Sequence, residues 1–128
     1  MTDDLIALAR RAVACKGWRW MPGMLTSNGG RVFAVDEDGS CRLDFGAEEV
    51  PFWCTPETMR KMTPDLSDPA TLGCLLALVR EAWESPKANL SWVTDDKCMV
   101  VFAPGHAQRF LLGDTEAEAL IAALERAP

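Results

Sequence analysis

Positive charge is scarce in this chain. Thirteen Lys and Arg residues stand against nineteen Asp and Glu, a net charge of −6 over 128 residues. A nonspecific nucleic-acid binder works by displacing counterions with a basic footprint, and that class is therefore not expected. Histidine is nearly absent: His106 stands alone between Gly105 and Ala107. The five cysteines (Cys15, Cys41, Cys54, Cys74 and Cys98) are widely spaced and form no Cys-x-x-Cys. A zinc site needs clustered thiolates and imidazoles, so no metal is expected, and reduced thiols of a cytosolic protein are. The longest apolar run, Leu72 to Val79, is far short of the ~18 residues of a membrane span. Met1-Thr2-Asp3-Asp4 is acidic where a secretory leader is basic, so no leader is expected.

Phosphate loops, dinucleotide fingerprints, zinc-protease helices and nucleophile elbows are missing too. Asp36-Glu37-Asp38-Gly39 lacks the ligand spacing of a calcium loop and reads as a hairpin turn. No set of nucleophile, base and orienting group is visible. The expectation is a protein that is not an enzyme, with no catalytic residues, cofactor or metal; catalysis through His106 or a cysteine is the weakest alternative.

What is present is ordinary globular material: 48% hydrophobic and 25% charged residues, enough for one domain over residues 1–128. The strongest helix signal is Asp68–Ser85. Asp68 is a capping residue, Pro69 fits the first helical position, and Pro86 supplies the stop. Leu72, Leu75, Leu76, Val79 and Trp83 recur with helical period, and Cys74 and Leu78 widen the stripe, which predicts deep burial. Gly73 then implies a neighbour approaching closely. A second helix is expected over Thr2–Cys15 on Leu5, Leu8, Ala9 and Ala12. A third follows Thr115, whose pairing with Glu118 is a capping box.

Arg31–Asp36 and Ser40–Phe45 predict an antiparallel hairpin, with Met24–Thr26 as a further strand of the same meander. Asn89–Thr94, Lys97–Ala103 and Gln108–Leu112 predict a second meander. Gly46–Ser67, with Pro51, Pro56 and Pro64, reads as a long surface connection with room for a single helical turn over Thr55–Arg60, where Pro56 follows a capping Thr, and pinned by Phe52 and Trp53. The expected fold is α+β: a mainly antiparallel sheet in two β-meanders packed with three α-helices, in the order α-β-β(-β)-α-β-β-β-α.

The most unusual composition is Gly17-Trp18-Arg19-Trp20-Met21-Pro22-Gly23-Met24. Extended, it puts Trp18 and Trp20 on one side and Arg19 on the other; Pro22-Gly23 suggests a type II turn. The indoles either plug one end of the core or form a binding lip. In the second case Trp18, Arg19, Trp20, Met24 and Arg31 are the candidate ligand- or partner-binding residues, with aromatic faces for a planar group and guanidiniums for phosphate or carboxylate.

Three stretches carry a resemblance: Trp18-Arg19-Trp20-Met21-Pro22-Gly23-Met24, Pro64 to Trp83, and Thr115 to Leu120. Together they resemble a group of small uncharacterised proteins of tailed phages and prophages, some described as a phage α-β-α sandwich domain. The resemblance covers most of the chain. It implies phage or prophage origin and action in the host bacterial cytoplasm, and brings no catalytic residues. Small accessory phage proteins commonly act by binding. The leading expectation is a counter-defence protein that binds a host defence protein or sequesters a small nucleotide signal. The alternative is a homo-oligomeric accessory or virion-assembly protein without a ligand, motivated by strand edges and surplus apolar surface.

Overall fold

The computed structural model describes residues 2–46, 52–102 and 111–128, without the side chains of 111 and 112. Helix α1 (Asp3–Val13) is followed by β1 (Arg31–Val35), β2 (Cys41–Asp44), β3 (Phe52–Cys54), α2 (Pro56–Arg60), α3 (Pro69–Ala82), β4 (Asn89–Thr94), β5 (Lys97–Val101), β6 (Leu111–Gly113) and α4 (Glu116–Glu125). The strands make two antiparallel three-stranded sheets, β1-β2-β3 and β4-β5-β6. The class is therefore α+β, with the three expected helices and, as a fourth, the single helical turn expected after Thr55. Among the described residues no helix is long and apolar enough to cross a membrane.

The helices begin where side chains satisfy free N–H groups. Thr2, Thr55, Asp68 and Thr115 each accept a hydrogen bond from a first-turn N–H, of Leu5, Thr58, Thr71 and Glu118 respectively. The Thr115 cap is reciprocated by the Glu118 carboxylate, which accepts from the Asp114 N–H at 2.9 Å. The first hairpin closes through Gly39 at φ +92°, with the Asp36 N–H donating to the Ser40 carbonyl at 2.8 Å. Val32, Cys41 and Leu43 face the core from its two strands.

The connection after β2 departs from expectation. The helical turn expected after Thr55 is there as α2, but the segment is not a surface loop: it holds β3 and buries Met59, Pro64 and Leu66. Strand β3 pairs with β2 through Cys41–Cys54, Arg42–Trp53 and Leu43–Phe52. Three residues are too few to display an alternation, which is why periodicity missed it. Phe52 and Trp53 do not pin the segment inward; they are 55% and 48% exposed. Met24–Thr26 is not a full strand either. It contributes isolated bridges from Leu25 to Arg31 and Thr26 to Pro64. Pro51, Pro104, Gly105, His106 and most of the expected Gln108–Leu112 strand lie outside the described residues.

The element on which the packing converges is α4, not α3. Ala117, Ala119, Leu120, Ile121, Ala123 and Leu124 are buried there, and α4 packs against α1, α3, β5 and β6. Helix α3 flanks it, burying Thr71, Leu75, Leu78 and Val79 and leaving Leu72 and Leu76 half-covered. Small alanines along α4 let its neighbours approach on several sides, a signal an apolar stripe does not carry. The Arg11 guanidinium also ties α1 to α4, at 2.5 and 3.2 Å from the Glu125 carboxylate oxygens.

Gly73 has no neighbour of the kind expected. A Cβ there would meet nothing within 4 Å, and the residue is exposed in mid-helix. Gly73→Ala is therefore expected to stabilise the fold by about 0.5–1 kcal/mol, the helix penalty of glycine, as an upward shift of the urea midpoint at constant slope. A destabilisation would show that the turn is more crowded than this.

Candidate functional site

The segment after α1 is held against β1 and α2 by a tight turn and a long-range hydrogen bond. Pro22 and Gly23 (φ +105°) form a turn closed by the Met24 N–H donating to the Met21 carbonyl at 3.2 Å, as a type II turn requires. The Trp20 indole N–H donates to the Met59 carbonyl at 3.2 Å, linking the segment to α2. Trp18 meets Trp20 edge to face, ring centroids 5.4 Å apart. Trp20 is 9% exposed and Trp18 half-buried, so the pair is neither fully core nor fully surface.

Beside this pair lies an open pocket of about 440 Å³, lined by three segments distant in sequence. Trp18, Arg19 and Trp20 contribute one side. The β1–β2 turn, Val35 to Gly39, contributes another. Pro56, Met59 and Arg60 of α2 complete it, with Val13 at the end of α1. The acidic residues Asp36, Glu37 and Asp38 line it, and none of the three takes part in an ion pair among the described residues. Asp38 accepts hydrogen bonds at 2.9 Å from both the N–H and the hydroxyl of Ser40, which hold its carboxyl below the usual range. It stays anionic at neutral pH.

Of the expected binding residues, the structure gathers Trp18, Arg19 and Trp20. Met24 is fully buried and serves the core. Arg31 lies away from the pocket, its guanidinium 2.6 and 3.2 Å from the Asp68 carboxylate and 2.9 Å from the Gly23 carbonyl. Arg19 reaches Glu81 at 2.5 Å, both side chains exposed. The two guanidiniums expected to hold phosphate thus already have carboxylate partners. In the sequence the acidic stretch carries only the signal of a turn and α2 only that of a helical turn. Thr55-Pro56 was the available signal for the latter; nothing local places either beside the tryptophans.

The Arg31–Asp68 pair is structural. Asp68 caps α3 through the Thr71 N–H at 3.0 Å and also accepts from the Thr71 hydroxyl at 2.9 Å. Thr71, itself fully buried, accepts from the Leu25 N–H at 2.9 Å. The Arg31 guanidinium first, then the Thr71 donors, hold the Asp68 carboxyl below its ordinary value. A depressed folded-state pKa gives stability that is complete above the unfolded value of about 3.9 and is lost as pH falls through the folded value. Asp68→Ala is expected to cost about 2 kcal/mol at pH 7, from a lost cap and a lost charged hydrogen bond. Asp68→Asn retains the cap and should flatten the stability–pH curve below about pH 4. An unchanged acid limb in the Asn variant would remove this carboxylate from the account.

Among the described residues no three His, Cys, Asp or Glu side chains converge as a metal site. Comparison with known proteins gives no match: no family model, no curated protein and no solved structure is significantly similar to this chain.

Proposed function

We propose that this chain is a non-enzymatic, phage-encoded binding protein that acts against a host defence by holding a host protein. Its pocket takes a basic side chain of that partner. The observation that carries the reading is the lining of one pocket by the Trp18–Trp20 pair together with the acidic residues Asp36, Glu37 and Asp38. An ammonium or guanidinium is attracted to the indole π-system and to the carboxylates together. The lining holds these three acidic residues against Arg19 and Arg60, and Arg19 is already matched by Glu81. The local field therefore disfavours a phosphate. Of the two expected ligands, a protein partner fits this lining better than a nucleotide signal.

Calorimetric titration separates the two. Short Arg- and Lys-containing peptides are expected to bind, more weakly as salt rises, and to lose most of their affinity in Trp18→Ala and in Asp36→Asn. Heat from a panel of cyclic and ADP-ribose-type nucleotides, with none from the peptides, would refute the reading in favour of nucleotide sequestration. For the biological half, a defended bacterial strain expressing the chain should admit an otherwise restricted phage, and Trp18→Ala should remove that protection.

The homo-oligomeric reading rests on a different observation. Phe33, Phe52 and Trp53 on the first sheet, and Trp92 and Val93 on β4, are about half exposed, and large apolar side chains in such number favour association. Native mass measurement across a concentration series decides it: a monomer throughout ends that reading.

A further inference from the structure

We propose that Cys41 and Cys54 form a reversible cross-strand disulfide when the chain meets a low-molecular-weight disulfide oxidant. This does not depend on what occupies the pocket. The two residues are directly opposed partners in the antiparallel register of β2 and β3. Directly opposed residues of such a pair project to the same face, with Cα atoms about 4.5–5.5 Å apart. That separation falls within the range a disulfide spans, about 4.4–6.8 Å. Cys41 is fully buried, its Sγ 3.7 Å from the Gly39 carbonyl, and Cys54 is half-buried. The outer thiol is the one positioned to meet an oxidant, and the inner one to resolve the adduct.

The step balances as two exchanges. The Cys54 thiolate attacks the oxidant, cleaving its S–S bond, forming a mixed disulfide and releasing one small thiol. The Cys41 thiolate then attacks the Cys54 sulfur, forming the Cys41–Cys54 bond and releasing the second. Two protons leave the protein thiols, and two electrons reduce the oxidant. Burial raises both thiols above their ordinary value, Cys41 to about 11. Both are mostly protonated at neutral pH, so the exchange runs slowly through the small thiolate fraction, and no bond forms until such an oxidant accepts the two electrons. The bond would join the two strands that carry the pocket's walls. Cys41 lies two residues after Gly39, and Cys54 two before Pro56. The two walls already approach each other: a Cβ on Gly39 would sit 3.7 Å from the Pro56 Cβ.

The test uses the full chain in buffers running from reduced to oxidised glutathione, trapped with an alkylating agent. In the oxidised range, two of the five thiols should become unreactive with a mass loss of two hydrogens, restored by a dithiol reductant. Trypsin cuts after Arg31, Arg42 and Arg60, which places Cys41 and Cys54 in different peptides. A non-reducing digest should recover those two peptides joined. Five alkylated thiols throughout, an unresolved glutathione adduct on Cys54, or a link to any other cysteine would overturn the proposal. The unmodified sequence is used throughout, so no outcome turns on whether a variant folds.

Discussion

Among the described glycines, Gly113→Ala is expected to be the most damaging substitution. A Cβ at Gly113 would lie 2.6 Å from the Ala119 backbone nitrogen, 2.8 Å from the Glu118 Cβ and 3.0 Å from the Glu118 carbonyl carbon. The first and third are main-chain atoms of α4 and cannot turn aside as a side-chain tip can. Gly113 ends β6, and α4 starts three residues later at Glu116, so the strand passes directly against the turn its own chain goes on to form. The requirement is for space: Gly113 lacks the positive φ that Gly23, Gly29, Gly39 and Gly46 adopt. Relief requires β6 to withdraw from α4, the helix on which the core converges. The cost should reach about 3 kcal/mol or more, the upper range for overpacking. Urea denaturation of the variant measures it, and a loss below about half a kcal/mol would mean that strand and helix separate more freely than this packing allows.

That contact shows where a sequence stops speaking. Helix starts were legible because capping is local: Thr2, Asp68 and Thr115 each lie within three residues of the N–H they serve. The hairpin was legible because Asp36 to Gly39 carries its own turn chemistry. Which helix would be central was not. Helix α3 has the denser apolar stripe, but α4 has the alanines, and the consequence of a small residue depends on what comes to lie against it. Strand β3 was illegible because three residues hold no period and two of them turn aromatic rings to solvent. Candidate site residues divide in the same way. Trp18, Arg19 and Trp20 stand out by composition and do share a pocket, but the acidic turn and α2 that complete it are joined to them only by the fold. Met24 and Arg31 lie near that segment in sequence, but packing and pairing place one in the core and the other on the α3 cap.

Leu75→Ala and Leu76→Ala, indistinguishable by helical period alone, are expected to part company. Leu75 is fully buried between α3 and its neighbours, while Leu76 is only half-covered. Truncating Leu75 removes three buried carbons and leaves a void that a close-packed interior refills only in part, at a cost of about 2–5 kcal/mol. Truncating Leu76 gives up less buried area, and water can enter where the side chain stood, so its cost should be about half as large or less. Both losses should appear as lower denaturation midpoints with an unchanged dependence on denaturant, since neither change alters how much surface unfolding exposes. The order is the informative quantity. If Leu76→Ala costs as much as Leu75→Ala, then α3 buries the full width of its stripe, and a further layer of protein, from this chain or a second copy, must cover the face that is half-open here.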